Sequence, residues 1–224
     1  MRGARAAEKG RLMVMQQSTY PVQFAVDYPD RSLNRLTSAF RIFVAIPIMI
    51  LLGSVNGATF SAYSQRGATY VAWGAGGLLF VGPLLMILFR RKYPRWWFDW
   101  NLELQRFINR VIVYILLMDD RYPATDQQQA VHLEYPLPAT NGGLNRFLPL
   151  VKWLLVIPHL IVLLFLWIGL LFAVIAAWVA ILFTGRYPRS IFRFVEGVIR
   201  WGARVVAYAF VLVTDRYPPF SLAA

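Results

Sequence analysis

Residues 150–183 read LVKWLLVIPHLIVLLFLWIGLLFAVIAAWVAILF and form one apolar stretch. From Trp153 to Phe183 the only ionisable side chain is that of His159. As a single helix the stretch would measure roughly 51 Å, well beyond the roughly 30 Å hydrocarbon core of a bilayer. It predicts either two short spans with a turn at 166–169 or one tilted helix that begins after Pro158.

A second apolar region precedes this stretch in the chain. Residues 36–52 are an apolar run, 53–68 are a small polar loop, and 69–89 carry no charge. These lengths fit two helices that cross a bilayer, so we expect a transmembrane hairpin at 36–89. The composition agrees, because 58% of the 224 residues are apolar and 15% are charged. The sequence therefore predicts an integral membrane protein.

The basic character of the chain points to lipid and not to nucleic acid. The net charge is +12, but the 23 Lys and Arg residues are spread between apolar runs instead of forming one basic domain. Juxtamembrane basic side chains are attracted to anionic headgroups. We therefore expect membrane lipids, together with a membrane-protein partner or further copies of the chain, as partners. The lack of cysteine excludes thiol catalysis and cysteine-held metals.

The landmarks of the chain occur twice in the same order, which predicts two tandem repeats. The letters LNR at 33–35 return at 144–146, which also aligns Arg41 with Lys152. The letters DRYP at 120–123 return at 215–218. We place a basic N-terminal tail at 1–19, repeat 1 at 20–123, a linker at 124–130 and repeat 2 at 131–224.

Each repeat has the same predicted plan. A short strand with alternating apolar residues comes first, at 22–26 and 131–135. The two strands either pair in a small sheet or are linkers that never meet. A hairpin follows, at 36–89 and 147–183, and then an amphipathic helix, at 96–118 and 190–213, whose polar stripe is expected to face water. The predicted fold is an all-α membrane protein of two tandem repeats, each a short strand, a transmembrane helical hairpin and an interfacial amphipathic helix.

Tyr-Pro pairs and basic residues predict the topology. Seven of the eleven tyrosines directly precede a proline, which ends a helix, and tyrosine favours the membrane–water interface. The loop at 53–68 has one basic residue, Arg66, and no acid, so the positive-inside rule places it outside. Four spans with both termini in the cytoplasm follow. Three spans, with the last segment outside, are the alternative.

The candidate binding residues are polar groups that flank the apolar runs or lie on the amphipathic helices. Arginine suits bidentate contacts with phosphate, and asparagine adds a neutral donor. For the two Asn-Arg pairs, a helix cap with cationic anchoring is the alternative. The predicted lipid-headgroup or partner-binding residues are Asn34, Arg35, Arg41, Arg106, Arg110, Asn145, Arg146, Lys152, Arg200 and Arg204.

The other notable residues indicate packing and not chemistry. His159 is expected to pack or to form a hydrogen bond, because a metal site would need a second ligand nearby. Four glycines allow close approach of another helix, and they are Gly74, Gly76, Gly77 and Gly82. We predict no catalytic residues, no metal and no cofactor, and we do not expect an enzyme.

Three motifs of the second repeat give the chain a family resemblance. They are TGRYPR at 184–189, RW and RV at 200–201 and 204–205, and TDRYPPFSL at 214–222. With them the chain resembles a bacterial integral membrane family of unknown function, whose members often carry a duplicated domain. The resemblance implies a protein of the bacterial inner membrane with no established activity and no established catalytic residues, and the predicted spans make it multi-pass.

Three functions fit these expectations. The first is a non-enzymatic accessory or scaffold subunit of a larger inner-membrane complex, which the tryptophan-rich helices and the absence of a catalytic set favour. The second is binding or transfer of a lipid or another hydrophobic ligand. The third is an oligomeric channel or transporter, since duplicated folds commonly host transport.

Overall fold

The computed structural model of the chain describes residues 20–56, 84–90, 93–125, 127, 129–138, 144, 145 and 147–223. This part is mostly helical. Most of the predicted helix at 69–89, and residues 57–68 of the predicted loop before it, lie outside the described residues, whereas residues 53–56 of that loop are helical. In chain order the elements are β1 (Gln23–Val26), α1 (Arg35–Ala39), α2 (Arg41–Asn56), a π-helical turn (Met86–Arg90), α3 (Arg95–Ile115), β2 (Val131–Glu134), α4 (Leu148–Leu155), α5 (Ile157–Thr184) and α6 (Arg189–Ala209).

The two predicted strands pair with each other. Strands β1 and β2 form an antiparallel two-stranded sheet in which Phe24 lies opposite Leu133. Phe24, Val26 and Leu133 are buried, as their alternation with polar residues predicts, and they join the main apolar core. Of the two alternatives that the sequence left open, the small sheet is therefore correct.

The second hairpin was predicted wrongly, because α5 runs through the expected turn at 166–169 without a break. Leu166 is a good helix former, Trp167 and Ile168 are intermediate, and the single Gly169 costs a helix only about 1 kcal/mol, so nothing at 166–169 forces a break. A break does occur earlier, at Val156, which ends α4 and precedes α5. Pro158 is tolerated because it stands in the first turn of α5.

Helices α4 and α5 together form the most apolar part of the structure. Among the described residues, Leu148–Thr184 is long and apolar enough to cross a membrane. Only 17% of its most apolar part is buried inside the protein. Phe165, Phe172 and Phe183 are among the most exposed side chains of α5. This exposed apolar surface is what a membrane-spanning helix presents to lipid.

Helix α6 runs back along α5. Gly185 ends α5 in the left-handed conformation, with φ of 70°, which glycine adopts without strain. Along α5 towards its start, Gly169 faces Phe194 and His159 contacts Trp201. The contacts therefore proceed in opposite directions along the two helices. Helix α2 packs on α3 in turn, because Ala45 and Ile48 share one buried cluster with Phe107, Val111 and Tyr114.

The amphipathic helices differ from the prediction in length and in what their polar stripes contact. Helix α3 ends at Ile115 and α6 at Ala209, short of the predicted 118 and 213. Leu117 and Leu212 follow with positive φ, at 65° and 60°, which terminates helical geometry. The stripes contact the sheet and the segments that follow each helix, as described below, and do not simply face water.

The Tyr-Pro pairs end apolar runs, but the tyrosines that the structure describes are mostly buried. Pro94 and Pro188 each stand directly before a helix, with φ near −62° and −63° that suits a helix start. Tyr93 lies inside the core, and its hydroxyl donates to the carbonyl of Val211 at 2.9 Å. Burial raises the pKa of Tyr93. Tyr93 thus packs in the protein interior, whereas the sequence predicted a position at the membrane–water interface.

Candidate functional site

Arg41, at the start of α2, is buried against the end of α3. Its side chain is 2% exposed. Nη1 donates to the carbonyl of Tyr114 at 2.9 Å and to that of Asp119, and Cζ lies 4.4 Å from the centre of the Tyr114 ring. The last carbonyls of a helix have no helical partner, and a cation there also meets the negative end of the helix dipole. Arg41 therefore fixes the end of α3.

Lys152 does the same at the end of α6. Its ammonium is fully buried and donates to the carbonyl of Thr214 at 2.7 Å. It also pairs with Asp215 at 2.6 Å and lies 5.0 Å from the centre of the Tyr208 ring. Arg41 and Lys152 were predicted as headgroup-binding residues at the membrane surface. The structure instead places both inside the protein, where each donates to carbonyls at or just beyond the end of an amphipathic helix.

Lys152 and Arg41 differ in how many of their donors have a partner among the described residues. The ammonium of Lys152 meets a carbonyl and a carboxylate. In Arg41 only Nη1 is engaged, since Nε and Nη2 are buried with no hydrogen bond among the described residues. The hydroxyl of Ser38, one helical turn before Arg41, is likewise buried and has no partner in this part of the chain. Two neighbouring residues thus carry buried donors that nothing described in the protein satisfies.

Ser38 and Arg41 line an apolar cavity of about 660 Å³, which we call the α5 cavity. It lies between the α1–α2 junction, the end of α3 and the middle of α5. The Trp178 indole donates to the carbonyl of Ser38 at 3.1 Å and holds α1 against α5. The wall is otherwise largely apolar and includes Leu117, Trp167 and Val174. Its volume falls within the roughly 300–1,000 Å³ typical of ligand pockets.

Arg106 and Arg110 of α3 bind main-chain carbonyls instead of pointing into solvent. Nε of Arg106 donates to Leu133 of strand β2 at 3.0 Å. Nη1 of Arg110 donates to the carbonyls of Ala124 and Thr125, at 2.8 and 3.2 Å. Arg110 is only 7% exposed. The stripe therefore joins α3 to the sheet and to the segment that follows the helix.

Arg200 and Arg204 of α6 hold strand β1 and the C-terminal segment. Nε of Arg200 donates to Phe24 at 2.8 Å, and Nη1 donates to Leu222 at 3.1 Å. Nη2 of Arg204 donates to Ala223 at 2.8 Å. Burial, followed by the neighbouring Arg200 cation, lowers the pKa of Arg204. These arginines were predicted to bind headgroups or a partner, and the structure shows them bound to their own chain.

The described residues of the two Asn-Arg pairs either cap a helix or are exposed. Asn34 is the N-cap of α1 and accepts from the amides of Leu36 and Thr37 at 3.0 and 3.3 Å, which is the alternative role that the sequence allowed. Arg35 is exposed beside Gly185.

Asn145 is exposed, and its side chain accepts from the Phe147 amide at 3.1 Å. Its own amide donates to Asp215. Arg146 and the predicted packing glycines Gly74, Gly76, Gly77 and Gly82 lie outside the described residues.

His159 is buried in an aromatic cluster. Its Nδ1 accepts from the Trp201 indole at 3.0 Å, so the neutral ring carries its proton on Nε2. Phe220 stacks on the imidazole with ring centres 3.9 Å apart, and Tyr217 lies 4.8 Å away. No group of three metal-ligating residues occurs in the part of the chain that the structure describes. The cluster fixes the C-terminal segment to α5 and α6.

The α5 cavity could not be read from the sequence, although one signal was present. Arginine within an apolar run is expensive to bury and marks a site by default. Arg41 had that signal, but its alignment with Lys152 suggested a basic flank at the membrane surface. The cavity forms only where three segments that lie far apart in the chain come together.

Comparison with known proteins identifies a domain in the chain but no activity. Residues 149–221 match a domain of unknown function, DUF4389. This region comprises most of α4, all of α5 and α6, and the segment that packs on His159. No curated protein and no solved structure matches the chain.

Proposed function

We propose that the chain is a non-enzymatic membrane protein that binds a hydrophobic ligand, the acyl chain of a membrane amphiphile, in the α5 cavity. The observation that carries this proposal is the cavity itself, about 660 Å³ in volume, with a largely apolar wall that continues into the exposed apolar side of α5 at Trp167 and Ile175. Lipid binding was the second of the functions that the sequence suggested. It moves ahead of the subunit hypothesis because it accounts for a specific feature of the structure.

The proposed architecture is that of two tandem repeats, and equivalent contacts support it. Arg41 and Lys152, aligned by the repeat, each donate to a carbonyl just beyond an amphipathic helix and lie over a tyrosine ring. Leu117 and Leu212 have positive φ, and each precedes its DRYP motif by the same number of residues. The two copies thus match in local backbone geometry as well as in sequence.

The sheet supports the same architecture. Ala25 pairs with His132, and each directly precedes a matching tetrapeptide, VDYP at 26–29 and LEYP at 133–136. Equivalent residues therefore face each other at the centre of the sheet, as a two-fold relation between repeats requires. We further propose a multi-pass arrangement in a bacterial inner membrane with both termini in the cytoplasm, on the charge asymmetry of the sequence. The unbroken α5 removes the second hairpin from which the cytoplasmic C-terminus was first deduced. What supports it instead is the position of Gly185, at the end of α5, beside Arg35 at the predicted cytoplasmic start of the first hairpin.

An accessory subunit of a larger membrane complex is the second candidate. The observation that favours it is the exposed surface of α4 and α5, where Trp153, Phe165 and Phe172 are each more than half exposed. Aromatic side chains dominate the contacts of many protein interfaces. Lipid would cover the same surface, so the exposure alone does not separate the two functions.

Native mass spectrometry of the tagged protein, extracted gently from its own membrane, tests the two candidates together. The lipid-binding proposal predicts one enriched amphiphile that remains bound after detergent exchange. Val174→Trp, which fills the cavity, should remove it, whereas Ile168→Trp should not, because Ile168 is exposed and outside the cavity wall. A stoichiometric set of other membrane proteins, with no ligand that depends on Val174, would favour the subunit candidate instead.

A further inference from the structure

We propose that α5 does not cross the bilayer but lies parallel to its plane, with its exposed apolar side in the acyl chains of the cytoplasmic leaflet. Helix α6 and the sheet then lie on the cytoplasmic side of α5, away from the lipid. This inference goes beyond the proposed function, because it concerns the orientation of the protein and needs no ligand in the α5 cavity. In the multi-pass arrangement, the predicted first hairpin then supplies the spans that cross.

A polar segment of the chain runs beside α5 from one end of the helix to the other. Near the start of α5, where the C-terminal segment packs on His159, the Tyr20 hydroxyl donates to the carbonyl of Arg216 at 2.9 Å. At the end of α5, the Leu33 amide donates to the carbonyl of Gly185 at 2.8 Å. The chain between Tyr20 and Leu33 therefore covers most of the length of the helix.

This segment is unsuited to the hydrocarbon core of a bilayer. It contains β1 and continues through Asp30 and Arg31, whose side chains are exposed. Non-helical backbone that faces lipid leaves main-chain groups without water, and charged side chains are unfavourable at the same depth. If α5 crossed the bilayer, this segment would have to cross beside it. Helix α5 therefore runs along the membrane and not through it.

The middle of α5 leads to the same conclusion. Gly169 lies near the midpoint of the helix, and a Cβ there would be 3.7 Å from the ring of Phe194 in α6. Arg193, the residue before Phe194, is exposed. In an upright α5 this arginine would lie close to the bilayer midplane, where a cation is most unfavourable. In the in-plane arrangement it belongs to the polar stripe of α6, whose Arg200 contacts the sheet.

The dimensions and surface of α5 fit a single leaflet. The opposite side of the helix from α6 is apolar and exposed, from Ile161 through Phe172 to Phe183. A helix about 10 Å wide fits within half of the roughly 30 Å hydrocarbon core, whereas the 28 residues of α5 would measure about 42 Å if upright. In-plane helices usually carry a polar face of their own, and for α5 the packed α6 and its arginines supply that face.

Exposed arginines lie near both ends of α5. Arg186 and Arg189 follow its last residue, and Arg35 lies beside Gly185. Near the start of the helix, Arg216 of the C-terminal segment is exposed as well. Basic side chains at a membrane surface favour the cytoplasmic side and are attracted to its anionic headgroups. Both ends of α5 therefore meet the conditions of the same, cytoplasmic, surface.

Single cysteines in this cysteine-free chain can report the depth of α5. Ile161→Cys, Phe172→Cys and Phe183→Cys replace exposed residues of one face at equal intervals of eleven residues. Each full-length variant is spin-labelled and reconstituted in liposomes of phosphatidylethanolamine and phosphatidylglycerol. Power-saturation electron paramagnetic resonance with oxygen and a water-soluble nickel chelate then measures the depth of each label. Arg193→Cys is the matched control on the polar side of α6, and thermal unfolding checks that all four variants are folded.

We expect the three labels on α5 to lie at equal depth in the acyl region and the label at position 193 to be accessible to the nickel chelate. An upright helix instead separates neighbouring labels by roughly 16 Å along the membrane normal, which makes the label of Phe172→Cys the deepest. That profile, or a steady change of depth from Ile161→Cys to Phe183→Cys, would overturn the inference. So would protection of position 193 from the chelate. The cavity proposal does not depend on these outcomes, since ligand binding tests it separately.

Discussion

At the scale of single residues, Gly197 shows how tightly the C-terminal segment packs on α6. A Cβ at this position would lie 2.9 Å from Cβ and 3.0 Å from the carbonyl oxygen of Leu222. Gly197→Ala should therefore displace the C-terminal segment and lower the free energy of unfolding by about 1–3 kcal/mol. Unfolding in mixed detergent micelles measures the change.

Gly202 provides the matched control for this prediction. It lies in the same helix, and a Cβ there would meet nothing within 4 Å. Gly202→Ala should raise stability by up to about 1 kcal/mol, because alanine favours helix. Equal effects of the two substitutions would contradict the packing that we describe at Gly197.

The pair His159–Trp201 has an apolar counterpart in repeat 1, namely Ile48 packed with Phe107. His159→Ile leaves the buried Trp201 indole without an acceptor, which should cost about 1–3 kcal/mol. Trp201→Phe leaves Nδ1 of His159 unmet. The double substitution recreates the apolar pair, so its cost should be smaller than the sum of the single costs. Unfolding of all four proteins measures the coupling, and additive costs would argue against the hydrogen bond.

At the scale of elements, the sequence predicts the strands, the apolar runs and the amphipathic helices well. Each has a local signal, such as the alternation around Phe24 or the polar stripe with Arg200. The turn at 166–169 was wrong because it was deduced from bilayer thickness, while the local residues favour helix. The sequence also did not predict which groups the polar side chains of these helices contact. A helical period shows that the side chains share one face, but not whether that face meets water or main-chain carbonyls.

Arg200 tests whether the stripe of α6 is structural. It donates to Phe24 and Leu222 and pairs with Glu196, so it joins three segments. Arg200→Gln should leave acceptors unmet and lower the free energy of unfolding by about 1–3 kcal/mol. Arg193→Gln, at an exposed position of the same helix, should change it by less than about 0.5 kcal/mol. A stripe that only faces water would give the two substitutions similar, small effects.

At the scale of the whole molecule, topology is open to a direct test because the chain contains no cysteine. Single cysteines therefore report on their own positions. We expect Ser64→Cys, in the predicted external loop, to react with an impermeant maleimide in intact cells. Ala223→Cys should react only after the membrane is opened. Labelling of Ala223→Cys in intact cells would place the last segment outside, as the three-span alternative requires.

The α5 cavity is also a property of the whole molecule, which is why the sequence did not predict it. Arg41, Leu117 and Trp178 come from three elements, and each alone has an ordinary explanation as flank, helix end or lipid-facing residue. Only their meeting leaves an apolar space between these segments. The one local anomaly, an arginine in an apolar run, indicated a special residue but not its partners.

Site-specific photocrosslinking tests the central claim, ligand binding in the α5 cavity, most directly. The protein in its native membrane is exposed to a fatty acid with a diazirine on its chain, irradiated and digested for peptide mapping. We predict adducts on cavity residues such as Trp167, Val174 and Trp178, and their loss in Val174→Trp. Adducts confined to the exposed Phe165 and Phe172, and unchanged by Val174→Trp, would show that the fatty acid only coats the surface and would contradict the account.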